Sequence, residues 1–237
     1  SPMKERGRSI PKYLYKYFSL RDENQDKNVR DMLVNNRLYF PAPIDFNDPF
    51  DCNNPISFEG TPEEYRQRLD EFYRRLEPEL NVAARKKLIN GFIASGIYKQ
   101  YSEDVVNSRN KKIGVLCLTK KKDSIPMWSY YADSHRGFCL EFLTESPFFS
   151  KVKDVRYREN YPPASFIKSS FEEMDDAFFL VKSEEWDHEE EWRLVNMTKE
   201  SRLIDFSKEI LTGVIFGCRM KKDKKEKIMG WVKEGKL

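Results

Sequence analysis

The sequence predicts an α+β domain built on a split, antiparallel-rich central sheet with a helical insertion. Three observations carry that expectation. Short runs of aromatic and β-branched residues, the signature of strands, occur before residue 41 and again after residue 112. A block with helical spacing, residues 61–110, separates them. No internal repeat and no low-complexity linker divides the 237 residues, so 1–237 reads as a single domain.

Tyr13 to Leu20 (Y-L-Y-K-Y-F-S-L) reads as the first strand, with Tyr13, Tyr15 and Tyr17 on one face and Leu14, Lys16 and Phe18 on the other. A lysine among apolar neighbours is odd for a core strand. Val29, Met32 and Leu33 predict a helix over 24–36, and Leu38-Tyr39-Phe40 a short strand cut by Pro41. Ala42 to Cys52 holds two prolines and is irregular. Its Ile44, Phe46 and Phe50 are expected to pack down, leaving Asn47, Asp48 and Asp51 to bond the loop's own backbone or to line a site.

Thr61-Pro62-Glu63-Glu64 is a helix start: threonine cap, proline in the first turn, glutamate at the third position. Tyr65, Leu69, Phe72, Tyr73 and Leu76 mark its buried face, and Pro78 stops it. Two more helical segments follow through Leu88, Ile89, Phe92 and Ile93, then through Tyr98, Tyr101 and Val105. The block lacks an independent core and reads as an insertion. Ile113–Thr119, Gly137–Phe142, Val152–Arg158 and Thr212–Cys218 read as strands. Pro126–Tyr131 reads as a helical turn, and Phe171, Met174, Phe178 and Val181 as a helix. Ile228, Trp231 and Val232 lie on a lysine-rich terminal helix, whose charge is a solvated face or a nucleic-acid contact.

Composition sets bounds. Only 39% of residues are hydrophobic, but 14% are aromatic and bury much area each. Charged residues make up 34% with a net charge of +3, which permits a nucleic-acid partner without requiring one. No apolar run approaches the roughly 18 residues of a membrane span. Ser1-Pro2-Met3-Lys4 lacks an apolar signal segment, and Ser1-Pro2 resembles a cloning remnant. Cys52, Cys117, Cys139 and Cys218 are widely spaced; three lie in strand-like runs and read as reduced core residues of a cytoplasmic protein. His135 and His188 are the only histidines, so a classical zinc site is not expected.

Neither a G-x-x-x-x-G-K-[ST] loop nor a G-x-G-x-x-G fingerprint is present. His135 and Cys139 share a strand face but lie about 13 Å apart, too far to pair. Asp48, Asp51, Glu189 and Glu191 could serve a metal-dependent nuclease. The most informative stretch is W-D-H-E-E-E-W-R-L-V, residues 186–195, an acidic run entering an apolar strand. Its glutamates could simply pair with Arg193 and nearby lysines. Alternatively, Glu191 sits where water meets core and Glu189 orients it, with Glu190 facing away. Trp128, Tyr131 and the aromatic first strand with Lys16 and Ser19 are either core or the faces of a pocket for a flat heterocycle. A carboxylate beside such a pocket suits stabilisation of an oxocarbenium-like sugar cation during N-glycosidic cleavage.

These runs, with R-L-Y-F-P-A-P-I-D-F-N-D-P-F-D, V-L-C-L-T and M-W-S-Y-Y-A-D-S-H-R-G-F-C-L-E-F, resemble the bacterial family known as domain of unknown function 2971. They are more distantly similar to the ADP-ribosyltransferase superfamily, including DNA-modifying toxins of the DarT type. There, a polar first strand, a helix, a P-M-L-Y-like turn and a late glutamate opening a strand follow in that order. The matching positions here are Tyr15 to Ser19, the Val29–Leu33 helix followed by Arg37, Pro126-Met127-Trp128, and Glu191. The resemblance implies an ADP-ribosyltransferase-like fold and NAD as substrate, with a toxin or phage-defence role. It further implies a nucleic-acid acceptor and an antitoxin or defence-system partner. Under it, Glu191 holds the nicotinamide-ribose hydroxyl, Tyr17 and Tyr131 flank nicotinamide, and Lys16 or Arg37 meets phosphate. Tyr15, Ser19, Asn47, Asp48, Thr119 and Trp128 complete the expected binding set.

Overall fold

The computed structural model describes residues 8–21, 23–161, 163–196 and 202–236, except for the side chains of Glu23, Asn24, Leu76, Val105 and Arg109. The reading of Ser1 to Lys4 and the packing of Leu76 and Val105 therefore lie outside the described residues. In chain order the first half comprises β1 Tyr13–Phe18, α1 Glu23–Asn35, β2 Arg37–Tyr39, β3 Ile56–Ser57, α2 Pro62–Leu76, α3 Val82–Ser95, α4 Tyr98–Lys112, β4 Gly114–Thr119 and α5 Ile125–Tyr130. The second half comprises β5 Phe138–Leu143, β6 Lys153–Asp154, β7 Arg156–Arg158, β8 Ala164–Ser165, α6 Phe171–Phe179, β9 Val181–Ser183, β10 Glu191–Asn196, β11 Leu203–Asp205, β12 Leu211–Phe216 and α7 Lys222–Glu234.

The central sheet runs β12-β5-β1-β4-β10-β6, each neighbouring pair antiparallel. Its strands are not equally joined. β1 registers with β5 along its whole length, from Tyr13 opposite Leu143 to Phe18 opposite Phe138. β4 does the same with β10, from Thr119 opposite Glu191 to Gly114 opposite Asn196. Between these halves, β1 and β4 register at one pair, Tyr15 with Thr119. The sheet is thus split at its centre. In the gap the Lys16 ammonium donates to the Cys117 carbonyl at 3.1 Å, supplying a bond that a paired strand would otherwise give.

One face of the sheet carries the main core. Leu14, Leu116, Leu118, Phe138, Leu140, Phe142 and Trp192 pack against Val29, Met32 and Leu33 of α1, and Ile228 and Trp231 of α7 join them. Each such side chain, fully buried, contributes about 1.5–3 kcal/mol of transfer free energy. The α7 charges are drawn into this packing: Lys227 pairs with Asp26, Glu234 with Arg30, and Lys224 donates to the Leu20 carbonyl. The other face carries two smaller clusters. Tyr15 and Tyr17 pack on Met127 and Trp128 of α5. Val115 packs with Cys52, Phe178, Phe179 and Leu180.

The 61–110 block forms three helices. The Thr61–Glu64 capping box closes reciprocally: Glu64 N donates to Thr61 Oγ1 at 3.3 Å, and Thr61 N to Glu64 Oε2 at 2.8 Å. Asn81 caps α3, and Gly96, at φ 73°, ends it. Tyr65, Leu69, Phe72, Tyr73 and Ile89 share one cluster with Phe166 and Met174, so the insertion draws its core partly from the segment that includes β8 and α6.

Several expectations need correction. Ile44 and Phe50 are 69% and 70% exposed, not packed down. Their loop is fixed by polar bonds instead: Phe50 N donates to Asp48 Oδ1 at 2.9 Å, and Asp51 is anchored in the interior by Arg193. Cys218 is exposed, lying just beyond β12 where the strand alternation has ended. Val152–Arg158 divides into β6, paired with β10, and β7, paired in parallel with β9. Val181 opens β9 rather than ending α6, because Leu180 caps the helix. Among the described residues no helix is long and apolar enough to cross a membrane.

Candidate functional site

A cleft of about 330 Å³ opens where the sheet splits. Tyr15, Lys16 and Tyr17 come from β1, and Cys117 and Thr119 from β4. Tyr131 follows α5, and Phe46, Asn47 and Asp51 belong to the irregular loop. Lys182 on β9, Glu189, and Glu191 on β10 complete the floor.

The E-E-E stretch is not a single strand. Glu184–Glu189 is a 3₁₀ turn, Glu190 adopts a left-handed backbone at φ 44°, and only then does β10 begin. The left-handed residue reverses the chain so that Glu189 and Glu191 both turn inward, while Glu190 faces Lys120 and Lys121 in surface ion pairs. Two hydroxyls fix the corner. Thr119 Oγ1 donates to the Glu189 carbonyl at 2.6 Å, and the Glu191 amide donates to the Tyr157 hydroxyl at 2.8 Å.

Five charges meet beneath the cleft, each 6% exposed or less at the side chain. Arg193 grips two carboxylates at once. Its Nε and Nη2 lie 2.7 and 2.8 Å from Glu191, and its Nη1 and Nη2 lie 2.9 and 2.6 Å from Asp51. Nη1 also donates to the Phe179 carbonyl at 2.8 Å. The Lys182 ammonium lies 2.6 Å from Glu189 and 3.4 Å from both Glu191 and Asp51. The remaining Glu189 oxygen accepts from the Tyr131 hydroxyl at 2.6 Å.

This arrangement divides the two glutamates. Burial opposes ionisation of both, but Arg193 and Lys182 hold Glu191 ionised, its pKa down at about 2. Glu189 lacks the guanidinium, so burial wins and its pKa rises. Burial likewise disfavours the Lys182 ammonium, yet Glu191, Asp51 and Glu189 raise its pKa well above the ordinary value. For Lys16 burial outweighs the opposing pull of Cys117 and Glu191, and its pKa falls. Three carboxylates thus face two firmly held cations.

Tyr15, Lys16, Tyr17, Asn47, Thr119, Tyr131, Glu189 and Glu191 all line this cleft, as a shared site requires. Four others lie elsewhere. Ser19 lines an adjoining compartment of about 240 Å³, which shares Lys16, Tyr17, Pro41 and Tyr131 with the cleft. Trp128 stands behind Tyr17, ring centroids 5.0 Å apart and nearly perpendicular. Asp48 turns into its own loop, and Arg37 pairs with Asp31. Lys182 was missed. The available signal was a lysine inside the apolar run F-F-L-V-K, the same oddity that marks Lys16.

Among the described residues no three or more His, Cys, Asp or Glu side chains are grouped to hold a metal ion. Lys182 instead occupies the space among the three carboxylates. Cys139 is buried against Tyr15 and Tyr17, and burial pushes its thiol pKa up, the opposite of what a nucleophile needs.

Fold and site together define an α+β protein with a split antiparallel sheet and a buried acid–base cluster flooring an aromatic cleft. A family model described as a protein of unknown function (DUF2971) matches residues 127–194. That span runs from α5 into β10 and includes Tyr131, Lys182, Glu189, Glu191 and Arg193. No curated protein and no solved structure matches the chain.

Proposed function

We propose that the protein is an NAD-consuming, ADP-ribosyltransferase-like enzyme acting as a bacterial toxin or phage-defence effector, with nucleic acid as its acceptor class. The observation behind this reading is the convergence of Glu189, Glu191, Tyr17 and Tyr131 on one cleft at the sheet split. Tyrosine faces suit a nicotinamide ring. The surplus of carboxylates over firmly held cations favours the ribosyl cation that develops as the ring departs. In the proposed step the C1′–N bond breaks and its electron pair leaves with neutral nicotinamide. The acceptor's lone pair then bonds C1′, and the acceptor gives up a proton. Glu191, kept ionised by Arg193, supplies the counter-charge. Glu189 and Tyr131 bind the ribose hydroxyls, and Lys16 meets the diphosphate at the seam of the two compartments.

A specific observation favours one rival, a nucleotide-binding module without turnover: both Glu191 oxygens are already held by Arg193. Incubation with NAD and a panel of nucleic-acid and protein acceptors separates the two. The transferase reading expects nicotinamide release that falls at least 100-fold in Tyr131→Phe and Glu191→Gln, on the order of losing one electrostatic contact to the reacting centre. NAD binding without any nicotinamide release across the panel would establish the rival.

A further inference from the structure

A second cavity, about 460 Å³, is also lined by the 43–53 loop. The loop is a common wall, with Phe46 and Asp51 lining both spaces. Its apolar lining includes the flat or ring-shaped surfaces of Pro43, Phe46, Pro49 and Phe178, with Ile44 and Cys52 beside them. Its polar lining is Asp51 and Asn53 from the loop and Asn107, Asn110 and Lys111 from the last turn and a half of α4.

Asn110 is the informative residue. It is only 5% exposed, yet its Oδ1 has no hydrogen-bond partner in the protein. A buried amide oxygen without a donor is costly, and native interiors rarely tolerate one. Asn110 is among the residues that line the cavity, so its amide is a polar group available to a ligand there. An asparagine amide offers an acceptor and a donor side by side, which matches the amino group and adjacent ring nitrogen of adenine. Aromatic and proline faces suit the ring itself. Lys111, exposed at the rim, suits a phosphate on the attached sugar.

We propose that this cavity is a binding site for an adenine base, read by Asn110 between Phe46 and Phe178, with Lys111 reaching the adjoining phosphate. The site is separate from the cleft and does not depend on the chemistry assigned there. The base can belong to a free nucleotide or to a single strand.

The test is calorimetric titration of the full chain with AMP, adenosine, inosine monophosphate and a short oligo-dA strand. AMP is expected to bind at least about 10-fold tighter than inosine monophosphate, whose 6-oxygen cannot donate to Asn110. Asn110→Leu should weaken AMP by at least about 10-fold while leaving the unfolding midpoint unchanged or raised, because it removes an unpaired buried polar group. Tyr131→Phe, in the cleft, should leave the AMP affinity unchanged. A strand source is indicated if oligo-dA binds tighter than AMP and loses that affinity in Asn110→Leu; a free-nucleotide source is indicated if AMP leads. Failure of AMP and oligo-dA to bind at millimolar concentration would leave water as the partner of Asn110 and overturn the proposal. So would binding that ignores Asn110→Leu or that follows Tyr131→Phe instead.

Discussion

Replacing Arg193 by methionine is the sharpest probe of the buried cluster. Methionine fills comparable space, so the packing cost is small. The electrostatic cost is not. Arg193 is unexposed and holds Glu191 and Asp51 through four contacts of 2.6–2.9 Å. Removing one partner from a buried ion pair leaves an uncompensated charge in the interior, which costs about 3–5 kcal/mol. Lys182 remains within 3.4 Å of both acids and tempers the loss without replacing the guanidinium's geometry. At about 2–4 °C per kcal/mol for a domain of this size, the unfolding midpoint should fall by roughly 6–20 °C. Thermal and urea unfolding measure it. Adding Asp51→Asn and Glu191→Gln to Arg193→Met should recover much of the loss, since the stranded charges are then gone. A loss below about 1 kcal/mol, or no recovery in the triple variant, would refute the description of Arg193 as the clamp on two buried carboxylates.

Acid titration should follow the division between the glutamates. The folded pKa of Glu191 is depressed from 4.5 to about 2, so its stabilising contribution is present above about pH 4.5 and lost as pH falls toward 2, at most about 3 kcal/mol in all. Glu189 has the opposite sign: its raised folded pKa makes its contribution full below its ordinary 4.5 and weaker as pH rises. Urea unfolding across pH 2–8 should therefore flatten on the acid side in Glu191→Gln and above pH 4.5 in Glu189→Gln. Thr61→Ala, which opens the α2 capping box, should cost about 1 kcal/mol by the same assay, and no loss at all would mean the cap is redundant. Gly137→Ala places a methyl 2.0 Å from the Phe18 carbonyl oxygen and 3.0 Å from Ala132 Cα, so the backbone at the start of β5 must shift. It should cost about 3 kcal/mol, and a midpoint within a degree of wild type would contradict that packing.

Much of the fold was legible because its elements announce themselves locally. Val29, Met32 and Leu33 give α1 its buried face, and Thr61-Pro62-Glu63-Glu64 opens α2. The β4 and β5 runs read as strands from their apolar residues alone. What escaped was set at long range. Ile44 and Phe50 were expected inside because apolar residues usually are, but their loop is anchored through Asp51 by an arginine 142 positions away. The division of Val152–Arg158 depends on two partners, β10 and β9, that come later in the chain. At the site, Glu189 and Glu191 stood out by sequence, whereas the lysine in F-F-L-V-K marks Lys182 only as an oddity, and its role needs the three acids that different elements bring around it.

The split sheet and the acid cluster have a common cause. Thr119 makes the one β1–β4 register pair, opposite Tyr15, and its hydroxyl anchors the Glu189 carbonyl. Beyond that point the strands part and Lys16 spans the gap to Cys117. The residue at which strand pairing stops is therefore the residue that sets the E-x-E corner at the edge of the opening. A sheet zipped through Lys16 would close the cleft and leave the five charges beneath it without access to any ligand. Charge burial on this scale contributes little to stability when compared with apolar side chains of equal volume. Its retention beneath an opening that the backbone itself maintains is the physical ground for treating the cluster as a functional site rather than as part of the core.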